Sequence, residues 1–487
     1  MKYKILGILA MIVVLIGVAA ISATEKDTPQ ERVHQHLIAR QPEEGCDCNG
    51  TVFCTHLPLV IIETNGEAIP GEVILDENNE EIGYTTTSTG DEMLNVNIKI
   101  MDAENRNHHL SDTPDIESSA MIRIRGNSSR SHDKKNYLLR FTDDKGKYQN
   151  LKIMGMDAHY EWALHGPFLD KSLLRNYMWY NIAGEIMGYA PNVRFCEVIL
   201  NGTYIGLYVM TETITNGINC RLNISEPVDG TTATGYLLRL DRGTDNEMKN
   251  INTFTNYTYR NMQKIDIKYP KSGSLTDDIA ERITQEFSDF EKALYSFDYD
   301  TDDNGYYNYI DVQSFVDYMI INEFTENYDA GWLSTYLYKD IGGKYKMVIW
   351  DFNSACDNYK YVVMDGQGFE FQYNVWFYML MKDEYFTERI IDRYKELRQT
   401  YLNTEYLTKY VDDIVNYLGD AVDRNFDVWG YTFEEKLLVP EERNLRSYNE
   451  AIEQLKEYIL RRGKWLDENI EILRQYSHES KNKKFNH

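Results

Sequence analysis

From residue 57 onward the chain alternates apolar and polar positions with period two in short runs, at 59–63 (LVIIE), 94–100 (LNVNIKI) and 121–125 (MIRIR). Such alternation puts one face on a core and predicts half-buried strands separated by Gly, Asn and Asp turns. Asp170 stands where a cap belongs, ahead of Leu174, Met178, Ile182 and Ile186, and that i, i+4 stripe predicts a buried helix. Runs at 197–200 and 204–210 flank Asn201-Gly202, a strong hairpin signal, and 235–240 predicts another strand. After about residue 275 the period becomes helical, with candidates at 276–296, 311–326, 385–400, 405–420 and 448–474, interrupted by a hairpin over 335–350. The pattern reads as α+β, with a β-rich N-terminal lobe and a mostly helical C-terminal lobe.

Composition narrows the function. With 487 residues, 43% of them hydrophobic, the chain can bury one large core or two lobes with a cleft between them. Its 77 acidic and 51 basic side chains leave a formal charge of -26, a field that repels nucleic acid and attracts cationic partners. Behind Lys2 and Lys4, residues 5–23 are almost unbroken apolar and end in small side chains, which predicts a signal peptide or membrane anchor over 1–23 and an exported body. Membrane contact is then expected only through that segment, if uncleaved. A polar linker is expected over 24–56, a folded domain over 57–475 and a polar tail over 476–487. Of six cysteines, Cys46, Cys48 and Cys54 are crowded, while Cys196, Cys220 and Cys356 are dispersed. Irregular spacing, with His56 as the nearby fourth partner, favours a local disulfide or thiols over zinc.

The chemistry concentrates in 327–353, NYDAGWLSTYLYKDIGGKYKMVIWDFN. Gly342-Gly343 marks a turn, and folding 335–339 back on 344–350 brings Asp329 and Asp351 to one end of a ribbon although they lie 22 positions apart. Phosphoryl transfer uses such a pair, one carboxylate at the attacking hydroxyl and one at Mg²⁺. Upstream, Arg125-Gly-Asn-Ser-Ser, then Lys134-Lys135 opening a strand, combine a polar glycine turn, a guanidinium and ammonium groups suited to phosphates. Taken by itself, this segment reads more simply as an exposed hairpin with solvated bases.

Four blocks in order resemble the CotH kinase family: Arg125-Gly-Asn-Ser-Ser with Lys134-Lys135; Asp170-Lys-Ser-Leu-Leu-Arg175-Asn176; Asn201-Gly-Thr-Tyr-Ile-Gly206-Leu-Tyr208 with Glu212; and Ile349-Trp350-Asp351-Phe352. The resemblance runs from about Leu57 to about Leu473. It implies an atypical protein-kinase-like fold of two lobes, ATP and Mg²⁺ as cosubstrates, and transfer to Ser or Thr of a basic, Ser-rich protein of a spore coat or cell surface. It places Arg125, Asn127, Ser128, Lys134, Lys135 and Glu212 around the nucleotide, with Lys135 or Lys134 on phosphate and Glu212 near the adenine or supporting the lysine. Asp329, with Lys135, would be catalytic, and Asp351, Asn353 and Ser334 would face the metal. The family commonly has Asp-Phe-Asp where this chain has Asp351-Phe352-Asn353, and Asn where it has Ser334, so the site loses a formal charge. A catalytically degenerate structural or binding protein is the alternative.

Two further readings remain. Asp300-Thr-Asp302-Asp-Asn304-Gly305, continuing to Asp311, follows the order of an EF-hand loop and predicts structural Ca²⁺ at Asp300, Asp302, Asn304 and Asp311, against an acidic loop in which Asp311 caps the next helix. With 38 Tyr and seven Trp, an exported protein could also use its acids as a glycosidase pair, which needs an open aromatic cleft without a lysine between the carboxylates.

Overall fold

The computed structural model describes residues 46, 48, 52–104, 106–217, 221–243, 249–251, 264–371, 374–482 and 484. The predicted signal or anchor over 1–23, most of the linker and Cys220 lie outside them.

Seven strands close into a barrel: β1 (Leu59–Glu63), β2 (Leu94–Met101), β3 (Ile116–Arg125), β4 (Asn136–Thr142), β5 (Glu161–His165), β6 (Val193–Leu200) and β7 (Thr203–Glu212). Their order around the wall is β5-β7-β6-β1-β2-β3-β4, with β4 returning to β5. All neighbours are antiparallel except β6 and β1. Alternation explains the closure: Leu94, Val96, Ile98 and Ile100 fill the interior with Val60, Ile62, Ile122, Leu139 and Phe141, while Asn95 and Asn97 face outward. Asn201 and Gly202, both at positive φ, make the turn between β6 and β7, as their sequence predicts.

A second sheet joins β8 (Tyr236–Asp241), β9 (Asn250–Ile251), β10 (Lys264–Tyr269), β11 (Thr335–Lys339) and β12 (Lys346–Val348) in the order β9-β10-β8-β11-β12. The predicted hairpin is thus part of a sheet, not an isolated insertion among helices. Helix α1 (Arg175–Ile186) lies between this core and the barrel wall, where Tyr177 stacks on Phe195 at 3.9 Å. Sandwiched in this way, it buries eleven of its twelve residues. On the side of the sheet pack α2 (Asp277–Tyr295), α3 (Val312–Thr325), α4 (Glu384–Arg398), α5 (Thr404–Leu418) and α7 (Tyr448–Asn469), while α6 (Ala421–Trp429) lies against β7 of the barrel. Thr276, Asp311, Asp383, Asn403 and Ser447 cap α2, α3, α4, α5 and α7 by accepting first-turn N–H groups. The protein is α+β.

Several expectations shift. Helix α1 starts at Arg175, and Asp170 acts from upstream, its carboxylate accepting the N–H of Ser172 and of Arg175. Strands β5 and β10 and helix α6 were not predicted. β5 is buried at every residue, leaving no period-two signal. The end of the linker is ordered, with Cys54–Thr55 pairing His108–His109. The tail also packs: Lys481 N–H donates to Asp300, and the Asn482 amide to the Tyr307 hydroxyl. Among the described residues no helix is long and apolar enough to cross a membrane.

Candidate active site

Strand order builds the site. β11 pairs with β8 on one side (Leu240 opposite Thr335) and with β12 on the other (Tyr336 opposite Val348), all antiparallel. The end of β8, the start of β11 and the end of β12 therefore share one edge, carrying Asp241, Ser334 and Asp351. The loop from α3 into β11 adds Asp329. It is tightly bound: Glu326 leaves α3 in the left-handed region, Asp329 C=O accepts the N–H groups of Trp332 and Leu333, and Asn374 donates to Ala330 C=O. Gly331 has φ +83°, and a Cβ there would meet the Asn374 amide nitrogen at 2.8 Å.

The carboxylates sense one another. Burial, then the Asp351 charge, push Asp329 up to about 6, with Asp241 adding and Arg242 opposing. Burial also raises Asp351 above the usual carboxylate range, with Asp241 adding and the Arg125 charge and Asn353 hydrogen bonds opposing. Asp351 sits at φ 60° and Ser334 at φ 51°, a conformation that costs an L-residue roughly 1–2 kcal/mol and marks the turns entering β11 and leaving β12.

Helix α1 fixes the Asp351 turn. Tyr180 OH accepts the Asp351 N–H at 2.9 Å, Asn176 Oδ1 accepts the Phe352 N–H at 2.7 Å, and Phe352 is buried against Trp179 and Tyr180. The Asn353 amide donates to Asp351 Oδ1 at 2.5 Å and accepts from Asn176 at 3.1 Å. His165, held neutral by burial and the Arg125 charge, also hydrogen-bonds Asn353. Arg175 anchors the segment beyond, bonding Asp170 at 2.5 Å, Ala355 C=O, Cys356 C=O and Gln454.

Two guanidiniums, rather than the lysines, act on the acids. Arg125 lies 5.3 Å over Trp350 and lowers Asp351. Arg242 lies beside Asp241, lowers Asp329, and donates to the Asn127 side-chain oxygen at 3.1 and 3.2 Å. Asn127 and Ser128 are exposed on the rim of a turn in which a Cβ on Gly126 would collide with Ser129 Oγ. Lys135 donates to Arg130 C=O at 2.9 Å and pairs with Glu72 at 3.6 Å. Lys134 is buried, donates to Asn425 Oδ1 at 2.6 Å, and lies over Tyr208 and Trp429. It joins the barrel to α6, where Gly206, at φ +114°, lets Asn425 and Trp429 approach. Glu212 is paired with Arg221 at 3.3 Å and accepts from Asn192, rather than meeting either lysine.

The structure therefore brings together Asp329, Asp351, Asn353 and Arg125, places Ser334 on the same sheet edge, and links Asn127 to them through Arg242. Asp241 and Arg242 are functional candidates that sequence reasoning passed over. Like Trp350-Asp351, they place an acid at a strand's end, but only the β8–β11 pairing shows that both acids share an edge.

In the acidic loop, Asp311 caps α3 and pairs with Lys346 at 3.7 Å, Asp300 pairs with Lys481 at 3.3 Å, and Asp302 with Lys484. The lysines of the tail compensate these acids. His56 likewise turns away from the cysteines and bonds Tyr417 C=O.

Compared with known families, the chain matches the one described as CotH kinase protein over residues 122–466, more than two thirds of its length. The curated proteins contain no match.

Proposed function

Because the chain belongs to the CotH family, we propose that it is an exported, two-lobed atypical protein kinase that moves the γ-phosphoryl group of ATP to a Ser or Thr hydroxyl of a basic, Ser-rich coat or surface protein. The observation that carries the proposal is the convergence of Asp329 and Asp351, close enough that the Asp351 charge raises Asp329, beside the cations Arg125 and Arg242.

In this reading Asp329 accepts the proton of the acceptor hydroxyl as its oxygen bonds to the γ-phosphorus and the bond to the β-phosphate oxygen breaks, leaving ADP. Arg125 and Arg242 offer planar forks to phosphate oxygens, and the rim formed by Asn127 and Ser128 adds polar groups. Clustered carboxylates that raise one another's proton affinity suit a divalent cation, so Asp351, with Asp241 and Asp329 beside it, would hold Mg²⁺. When bound, the ion supplies charge neutralisation of the phosphates. Asn353 orients Asp351, its amide being spent on that carboxylate and on Asn176. The net charge of -26 favours a cationic acceptor. With Lys135 engaged by Arg130 C=O and Glu72, a glycosidase pair gains the lysine-free carboxylates it needs, while guanidiniums acting on both acids favour phosphate.

The full chain, incubated with Mg²⁺ and γ-labelled ATP, should label itself or a Ser/Lys-rich peptide, and Asp351→Ala should abolish the labelling. Equal labelling by the variant overturns the assignment. A second reading, a kinase-like coat protein without turnover, is favoured by the commitment of Lys135 to Glu72. Nucleotide binding without metal, and with no transfer over hours, would establish it.

A further inference from the structure

We propose that Cys46, Cys48, Cys54 and His109 form a structural zinc site that fastens the chain to the barrel just before its first strand. The three sulfurs and one imidazole nitrogen all lie within 4.8 Å of one another. Tetrahedral zinc, with Zn–S of about 2.3 Å and Zn–N of about 2.0 Å, separates its ligand atoms by roughly 3.5–3.8 Å, so small side-chain rotations close the set. Two of the ligands are placed by backbone pairing, since Cys54 stands opposite His109 in the short ladder that also pairs Thr55 with His108. That ladder joins the segment before β1 to the connection between β2 and β3.

The histidine is already oriented for metal. Asp112 Oδ2 accepts the backbone N–H of His109 at 2.9 Å and lies 3.4 Å from its ring Nδ1. This is the carboxylate–imidazole arrangement that fixes the tautomer and turns the other nitrogen toward an ion. That nitrogen, Nε2, lies 3.1 Å from Cys46 Sγ. His56, nearest to the cysteines in sequence, is engaged by Tyr417 instead.

The donor set selects the metal class. Three soft thiolates and an imidazole suit zinc and disfavour Ca²⁺ or Mg²⁺, and four protein ligands leave no open position for a substrate, so the role is structural. Binding releases the three thiol protons to solvent and leaves the cluster with one net negative charge. A disulfide would join two of the three sulfurs and leave the third, with the oriented His109, unused.

The test is the full chain, purified without chelator, loaded with Zn²⁺ under mild reductant and dialysed. One zinc per chain is expected by elemental analysis, and the thiols of Cys46, Cys48 and Cys54 should resist alkylation until a chelator is added. Replacement by Co²⁺ should give the visible absorption of a tetrahedral thiolate site. Cys54→Ser and His109→Ala should lose the metal, His56→Ala should keep it, and Asp112→Asn, which preserves shape, should weaken zinc affinity about 10- to 100-fold. Full zinc content in His109→Ala, equal alkylation with and without chelator, or a disulfide among the three cysteines after loading would each overturn the proposal.

Discussion

Asn353 gives its amide hydrogen to Asp351 at 2.5 Å, and its own carbonyl is held by Asn176. The third residue of the Asp-Phe-Asn turn thus serves the first.

Asn353→Asp would replace that donor with a second carboxylate facing Asp351. A broken hydrogen bond that leaves a buried group unsatisfied costs roughly 1–3 kcal/mol, so metal-free stability should fall by about that amount in denaturant titration. Mg²⁺ should restore part of it. A variant more stable than the parent without metal would show that Asn353 does not hold Asp351.

The two acids should fail differently when neutralised. Asp351→Asn should weaken nucleotide binding measured with Mg²⁺, whereas Asp329→Asn should leave binding nearly intact and slow transfer by about 10²–10⁴-fold, the usual worth of a positioned base. Calorimetry and single-turnover labelling separate these effects, and the opposite pattern reverses the roles.

In the metal-free protein the Asp329 carboxyl should titrate near 6, and Asp351→Asn should shift that midpoint downward by removing a like charge. An acid whose folded value is raised stabilises the fold while protonated. Its contribution is complete below the unfolded value of 3.8 and is lost as pH rises through about 6. Carbon-13 NMR titration of the labelled carboxyl reads the midpoint directly, and an unchanged midpoint in Asp351→Asn would mean that the acids do not interact.

Arg462 of α7 is buried between Glu323 at 2.5 Å and Glu326 at 3.4 Å, at the end of the helix that leads to Asp329. Arg462→Leu removes the partner of two buried acids and should cost about 3–5 kcal/mol, read as a lower midpoint in thermal or urea unfolding. A neutral result would show that the Arg462 charge is not needed to hold these side chains buried, as expected at Glu326, which burial raises to about 7.

Lys134→Met should lower stability and leave nucleotide affinity unchanged, because the ammonium serves Asn425. Arg125→Ala should do the reverse, raising the KM for ATP. Fluorescent-nucleotide titration beside thermal unfolding distinguishes them, and a Lys134→Met variant that folds normally but binds ATP poorly would return the phosphate role to the lysine.

The sequence made the barrel strands legible where one face meets water, as in Leu94–Met101, and hid them where both faces are covered, as in Glu161–His165. The convergence of Asp329 and Asp351 followed from the hairpin alone. Among the cations, Arg125 was legible from its own turn, but the fate of the lysines was not, because neighbouring strand residues point to opposite faces and nothing local shows that Lys134 serves Asn425 and Lys135 serves Glu72. Likewise, Asp241 and Arg242 reach the site only through long-range pairing. Gly206 was noticed as part of a family block, yet its reason lies 219 positions away, in Asn425.

That distant reason bears on motion. At the back of the molecule α6 is riveted to the barrel by Lys134 on Asn425, by Arg424 on Glu197 at 2.7 and 2.9 Å, and by Trp429 Nε1 on Ile205 C=O. Swinging the barrel open about this joint would strip a dehydrated ammonium of its acceptor before water could replace it, a penalty of several kcal/mol. The barrel and α6 should therefore move as one body. If the chain exchanges nucleotide as proposed, that exchange would fall to the loops carrying Asp329 and Asp351, and turnover should respond to their length and sequence far more than to a hinge.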